Sequence, residues 1–316
     1  MMKFTNEDLG CFAKDPAVIE WKGDTYLYHS IYEKGTNILG IGIARLEDED
    51  TFVRIAEFER TQPCEQNGVG APGAIVLDGV IHLFYQTYGN GPLDAICHAT
   101  STDGIHFTKD ASNPVFAPRE PWADMPEWSC GRAIDADVCV CGDRLLLYFA
   151  TRDKAFERQI VGAAWAPLTS DFSRGTWTLH PDLILEPTLL WEKTCIEAPA
   201  ALFHDGKVYL FYAGAYNCAP QWIGCAVSDD GLHFTRLFCE EPLLKNGAPG
   251  SWNASESGHP YIYRANNARA DNNARAEDGI LWLYYQGSPD MGKTWYLSRC
   301  SVVIKDAKPQ LVEPQR

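Results

Sequence analysis

The sequence predicts an all-β protein, a five-bladed β-propeller with four antiparallel strands in each blade. Three observations predict it. A Gly/Asp turn leading into alternating aliphatic and aromatic residues recurs five times. Each recurrence sits between a short apolar run and a second apolar run carrying small residues. No linker divides the 316 residues, so the five copies belong to a single domain spanning 1–316.

The copies follow one another along the chain. They are Gly23-Asp24-Thr25-Tyr26-Leu27-Tyr28, Asp78-Gly79-Val80-Ile81-His82-Leu83-Phe84-Tyr85 and Gly142-Asp143-Arg144-Leu145-Leu146-Leu147-Tyr148-Phe149, then Asp205-Gly206-Lys207-Val208-Tyr209-Leu210-Phe211-Tyr212 and Asp278-Gly279-Ile280-Leu281-Trp282-Leu283-Tyr284-Tyr285. Each reads as a hairpin turn feeding a strand rich in β-formers. The turn glycines at 23, 79, 142, 206 and 279 are spaced by 56, 63, 64 and 73 residues. Third strands follow, such as Gly40-Ile41-Gly42-Ile43-Ala44 and Ile223-Gly224-Cys225-Ala226-Val227. Two of them run into near-identical turns, Ser101-Thr102-Asp103-Gly104-Ile105-His106-Phe107 and Ser228-Asp229-Asp230-Gly231-Leu232-His233-Phe234, with a short fourth strand behind. Two sandwiches would supply many strands but not five copies in phase; radial repetition of four-stranded units does. The blades are expected at about 12–62, 69–118, 132–187, 194–245 and 256–308. The last interval is lengthened by a near-duplicated Asn/Ala/Arg segment over 265–276, read as an exposed hairpin insertion.

Composition narrows the partners. There are 42 acidic and 27 basic residues, a net charge of −15, which repels phosphate backbones and anionic membranes. Nucleic acid and membrane surfaces are therefore excluded, and a neutral sugar is accommodated. The first residues lack the apolar segment of a signal peptide, and no stretch approaches the roughly 18 apolar residues that span a bilayer. Eleven cysteines occur at irregular spacing with no Cys-x-x-Cys pair. That pattern reads as free thiols in a reducing compartment, so the cytoplasm is expected.

The chemistry is expected where the first strands of the blades begin, at one mouth of the channel. Counting back from the turn glycine, Asp15 stands eight residues before Gly23, Asp135 seven before Gly142 and Glu197 nine before Gly206. One strand-start acid is explained as readily by capping a turn; three on three blades are not. Carboxylates that converge repel each other, so at least one keeps its proton near neutral pH. Neighbouring acids with split pKa values supply a proton donor and a base together. Cleavage of a glycosidic bond needs that pair. Asp137 shares the facing of Asp135 under two-residue alternation and is a weaker candidate.

The ordered set Asp15-Pro16, Ala71-Pro72, Ile134-Asp135-x-x-Val138 and Glu197-x-Pro199 resembles glycoside hydrolase family 43, across all five blades from about residue 12 to residue 304. The resemblance implies that Asp15 is a general base activating water, that Glu197 is the general acid, and that Asp135 raises and orients the acid. It implies a single inverting displacement that releases arabinofuranosyl or xylosyl units from oligosaccharides. It also implies that His259 faces the channel as a substrate and metal neighbour, beside a structural calcium ion in the central channel; no cofactor is required for the chemistry. Blade two has Ala71-Pro72-Gly73 where the family usually has Ala-Pro-Asp, and blade four has Glu197-Ala198-Pro199 where Glu-Gly-Pro is commoner. Fructan-cleaving families fit less well. A propeller glycoside phosphorylase, which would need a basic pocket near Asp15, and a non-catalytic sugar-binding propeller are the alternatives. Substrate contacts are expected from Ala71, Pro72, Arg132 and His259. Arg152 flanks the same blade as Arg132. Of the tryptophans in connections, Trp122, Trp128, Trp191, Trp222 and Trp252, one or two are expected to stack on sugar, with Trp128 and Trp252 as the candidates.

Overall fold

The computed structural model describes residues 2–119, 124–265 and 279–312. Blade one comprises β1 (Lys14–Trp21), β2 (Asp24–Tyr32), β3 (Leu39–Leu46) and β4 (Phe52–Glu57). Blade two comprises β5 (Val69–Leu77), β6 (Val80–Thr87), β7 (Ile96–Ser101) and β8 (Thr108–Lys109). Blade three holds β9 (Ile134–Cys141), β10 (Arg144–Arg152), β11 (Gln159–Pro167) and β12 (Thr178–Leu179). Blade four holds β13 (Ile196–His204), β14 (Lys207–Gly214), β15 (Trp222–Ser228) and β16 (Thr235–Arg236), and blade five holds β17 (Glu256–Ala265), β18 (Ile280–Ser288), β19 (Tyr296–Lys305) and β20 (Lys308–Val312). Each blade is one antiparallel sheet with its strands in chain order. The last strand carries blade five to residue 312, past the expected 308, because β19 runs ten residues before its turn. The 265–276 insertion, Ala265 apart, lies outside the described residues, as does Trp122. Among the described residues no helix is long and apolar enough to cross a membrane.

The ring closes because first strands pack on their neighbours all the way round, including β1 against β17. A second closure is covalently remote: Phe4 exchanges two backbone hydrogen bonds with Leu297 of β19, at 2.9 and 2.8 Å. The core is divided among the interfaces between blades. Phe84, Phe116, Phe149 and Trp177 fill the gap between blades two and three, and Leu146, Tyr148, Leu210 and Tyr212 that between three and four.

The repeated Ser-x-Asp-Gly turns are inter-blade latches. Ser101 Oγ accepts from the amides of Asp103 and Gly104, and Asp103 Oδ1 from those of Ile105 and His106. That folding presents the Gly104 carbonyl to the Tyr28 hydroxyl of blade one at 3.1 Å. Gly231 does the same for Tyr148 at 2.7 Å. Two buried glutamates form matching clasps. Glu65 accepts from the Thr61 and Gln62 amides, Tyr85 and Lys109; Glu192 accepts from the Thr188 and Leu189 amides, Tyr212 and Arg236. Burying a carboxylate is costly unless all its oxygens are satisfied, and here they are.

Candidate active site

All five first strands carry the same irregularity. Opposite three residues of the second strand, the first strand spends four, in the stretches Lys14–Ala17, Gly70–Gly73, Ile134–Asp137, Glu197–Ala200 and Gly258–Tyr261. The extra residue makes a β-bulge. One residue of each bulge is left-handed: Asp15 (φ 51°), Ala71 (41°), Asp135 (52°), Ala198 (49°) and His259 (43°). A non-glycine residue there is strained, and five in equivalent places show that the channel mouth is built on this kink.

The bulge corrects the sequence alignment of the acids. Asp15 and Asp135 are equivalent to each other and to Ala71, Ala198 and His259. Glu197 is not; it precedes the kink, in register with Lys14, Gly70, Ile134 and Gly258. The misleading count came from blade three. There Gly142 is the first loop residue (φ 62°) and Asp143 the second, whereas Gly23, Gly79 and Gly206 are second, each after a residue that is also left-handed. A type II′ hairpin puts its glycine first and a type I′ hairpin puts it second, which shifts the reference by one residue.

Despite the offset, the three acids meet. His259 stands between Asp15 and Glu197, its Nδ1 2.8 Å from Asp15 Oδ1 and its Nε2 3.3 Å from Glu197 Oε1. Burial works against charge on the ring, but the facing carboxylates of Asp15 and Glu197 raise it well above the ordinary histidine range. The imidazolium in turn, with Lys14, lowers Asp15 against the cost of its burial. Glu197 is lowered too: burial opposes its charge, but His259 and the Gln221 amide (2.6 Å) outweigh it, and the Gln159 amide holds the other oxygen. Asp135 goes the other way, pushed up to about 6 by burial and by the neighbouring charges of Glu197 and Asp15. It is the acid of the three that keeps a proton nearest neutrality, and its Oδ2 is buried without a hydrogen-bond partner. Backbone amides pin both kinked aspartates: Asp135 N–H donates to Gln86 at 2.7 Å and Asp15 N–H to Gln286 at 3.3 Å.

These groups form the floor of a cleft of about 400 Å³, whose walls include Phe12, Lys14, Tyr32, Tyr88, Arg132, Arg152, Tyr216 and Trp295. That volume lies within the range of small-molecule sites. Below the floor, Ala71, Pro72, Asp137 and Tyr261 line a small void with room for about one water, near 30 Å³. Ala71 and Pro72 thus line the channel beneath the cleft. At Gly73 the first strands of blades two and three approach so closely that a Cβ would stand 2.3 Å from the Ala136 carbonyl oxygen. Asp137 bonds the Ala201 amide at 2.7 Å and is pushed up to about 7 by burial.

The tryptophan expectation is corrected. Trp128 donates to the Pro181 carbonyl and packs on Gly162; Trp252 lies against Tyr285 and Gly287. Neither reaches the cleft. Glycines make room for such rings: a Cβ on Gly287 would come within 2.3 Å of Trp252. The aromatic surface offered to a ligand is tyrosine instead, with Tyr32 and Tyr88 39% and 42% exposed at the rim. Sequence reasoning also missed Lys14, Tyr216 and the glutamines. A signal for two of them was present: Gln86 and Gln286 each stand seven residues after their turn glycines, the place Ser30 holds in blade one.

No family model matches the chain, and no curated protein matches its sequence. Solved structures are similar. A thermostable family-43 glycoside hydrolase aligns with a TM-score of 0.74 at 18% identity, over 96% of this chain and 94% of that one. An endo-1,4-beta-xylanase from Bacteroides thetaiotaomicron aligns at 0.69 and 18%, with the same coverage. An alpha-L-arabinofuranosidase from Lactobacillus brevis aligns at 0.70 and 15%, again over 96% and 94%. The chain therefore has, along nearly its whole length, the five-bladed propeller fold of the family-43 glycoside hydrolases.

Proposed function

We propose that this protein is a glycoside hydrolase that releases terminal arabinofuranosyl or xylosyl units from oligosaccharides by an inverting single displacement. The observation that carries the reading is the convergence of Asp15, Asp135 and Glu197 around His259 on the floor of one cleft. The names of the similar structures, xylanase and arabinofuranosidase among them, support the pentosyl choice.

In this mechanism Asp15, held as a carboxylate, takes a proton from water as the water attacks the anomeric carbon. Glu197 protonates the departing oxygen. In the free site the imidazolium keeps Glu197 ionised. A sugar that takes over the place of that hydrogen bond removes the stabilising charge, and burial then raises the carboxyl into the range of a proton donor. Asp135, on the neighbouring blade, adds negative potential once ionised, which favours the protonated form of Glu197. The gap between Asp15 and Glu197 holds an imidazole with its contacts of 2.8 and 3.3 Å to the two carboxylates. Such a gap matches the roughly 6.5–9.5 Å of an inverting pair better than the about 5–5.5 Å of a retaining one. Proton NMR of the first-formed sugar tests it: the inverted anomer is expected, and retention would make Asp15 a nucleophile.

Phosphorolysis is less well supported. Lys14 adjoins Asp15 in the chain, and although burial works against its charge, Asp15, Glu256, Glu197 and Asp135 all act on it and raise it. A cation so surrounded is already neutralised.

A calcium ion is proposed as structural. Asp135, Glu197 and His259 offer ligand atoms within 4.8 Å of one another, and Asp135 Oδ2 is the unpartnered oxygen such an ion would satisfy. Both ring nitrogens of His259 face carboxylates and both oxygens of Glu197 accept hydrogen bonds, so Asp135 Oδ2 would do the holding, as a hard cation prefers oxygen. Added calcium is expected to raise the melting temperature and a chelator to lower it; a melting temperature indifferent to both removes the ion. The cytoplasm is likewise proposed as the working compartment. All eleven cysteines are free, including Cys64 and Cys97, whose sulfurs lie 3.9 Å apart.

A further inference from the structure

Arg152 is left unexplained by acid–base chemistry. It ends β10 and pairs across the sheet with Gln159, whose amide bonds Glu197. Its guanidinium lies 5.6 Å from the centre of the Tyr216 ring, and its Nε is buried without a hydrogen-bond partner. Among the described residues no carboxylate pairs with it, in a chain whose acids outnumber its bases 42 to 27. Arg132 stands near. It has one ion pair, to Asp94 at 3.5 Å, and its Nε is likewise buried and unpartnered. Both line the cleft with Tyr216, and the Cys130 amide, two residues before Arg132, donates to the Arg152 carbonyl at 2.8 Å, which ties the two to one corner.

The location of that corner identifies what it would hold. Arg132 precedes Asp135 by three residues, and Arg152 lies two beyond Ala150, the partner of Ile134. At about 3.3 Å per strand residue, both stand several ångströms outward of the acids, toward the mouth. They also lie on the side of Glu197 and not of Asp15. Water attacks from the Asp15 side, whereas the group that Glu197 protonates departs outward past the arginines. Arginine forks match carboxylate and phosphate in two parallel hydrogen bonds.

We propose that Arg152, with Arg132 beside it, holds an oxyanion, a carboxylate or a phosphate, carried by the leaving portion of the substrate. The enzyme then cuts a neutral terminal sugar from an acidic partner sugar. This rests on the glycosidase reading of the same site.

The test is calorimetric, so that it does not depend on turnover. Glucuronate and galacturonate are titrated against glucose and galactose into the wild type, Glu197→Gln, Arg152→Gln and Arg152→Lys, each checked to be folded, by a cooperative melting transition, at the temperature of the titration. At least one uronate is expected to bind the wild type and Glu197→Gln about tenfold or more tighter than its neutral counterpart. Arg152→Gln should erase that preference, Arg152→Lys should keep part of it, and added salt should weaken it. Neutral and acidic sugars binding alike, or a preference that survives Arg152→Gln, would overturn the proposal. Inorganic phosphate should compete with the uronate; a glycosyl phosphate formed from it would mean that the anion attacks, and would overturn the placement on the leaving side. If no glycoside is hydrolysed yet the uronate preference stands, the glycosidase reading fails and the oxyanion site does not.

Discussion

Asp15→Asn is expected to lower turnover by about 10³- to 10⁴-fold on every glycoside, whatever its leaving group, at the upper end of what general-base catalysis contributes. Asp15 is fixed by its left-handed kink, by the Gln286 acceptor on its amide and by the 2.8 Å contact to His259. Asparagine keeps the size and one acceptor oxygen, so the fold and the ring position should survive, but it cannot take a proton from water. A better leaving group does not help, because attack by water remains the difficult half of the reaction. Steady-state kinetics on an alkyl and an activated aryl glycoside check this. A loss confined to the alkyl substrate would mean that Asp15 serves the leaving group instead.

Glu197→Gln is expected to behave differently. With a poorly activated leaving group the loss should be on the order of a hundredfold or more. With an activated aryl glycoside it should be small, because that oxygen departs without a proton. The amide keeps contact with His259 Nε2 and the Gln221 amide through its oxygen, although its NH₂ then meets the NH₂ group of Gln159. A modest fall in stability should therefore accompany the kinetic change, and a melting curve separates the two effects. Equal losses on both substrate types would remove Glu197 from the acid role.

The pair of variants also bears on how much of the site was legible in the chain. Asp15 and Asp135 could be found by counting because every blade repeats the same hairpin, and a two-residue hairpin fixes register on both its strands. The count left Glu197 one residue out because the hairpin of blade three, with its glycine first, spread the three counts and hid the one-residue offset between blades one and four. Counted from the second loop residue of the hairpin, the kink falls eight residues back on Asp15, Ala71, Asp135 and Ala198, so the acid of blade four stands one residue before it. Trp128 and Trp252 failed for another reason. A tryptophan in a connection is equally suited to a sugar face and to a gap between blades, and only the glycines opposite it, one at Gly162 and one at Gly287, decide between them.

Legible along the chain were the number of blades, the order and direction of their strands, the repeated turns and the three acids, with Glu197 taken one residue out of register. Those features repeat along the chain, and periodic patterns of apolar and turn residues are local. The tertiary structure alone decided what lies between the acids: the imidazole of His259 from blade five, Lys14 ringed by carboxylates, and the two arginines on the Glu197 side of the cleft. Each of those depends on the distance between side chains from different blades, and electrostatic coupling follows distance in space, not separation along the chain.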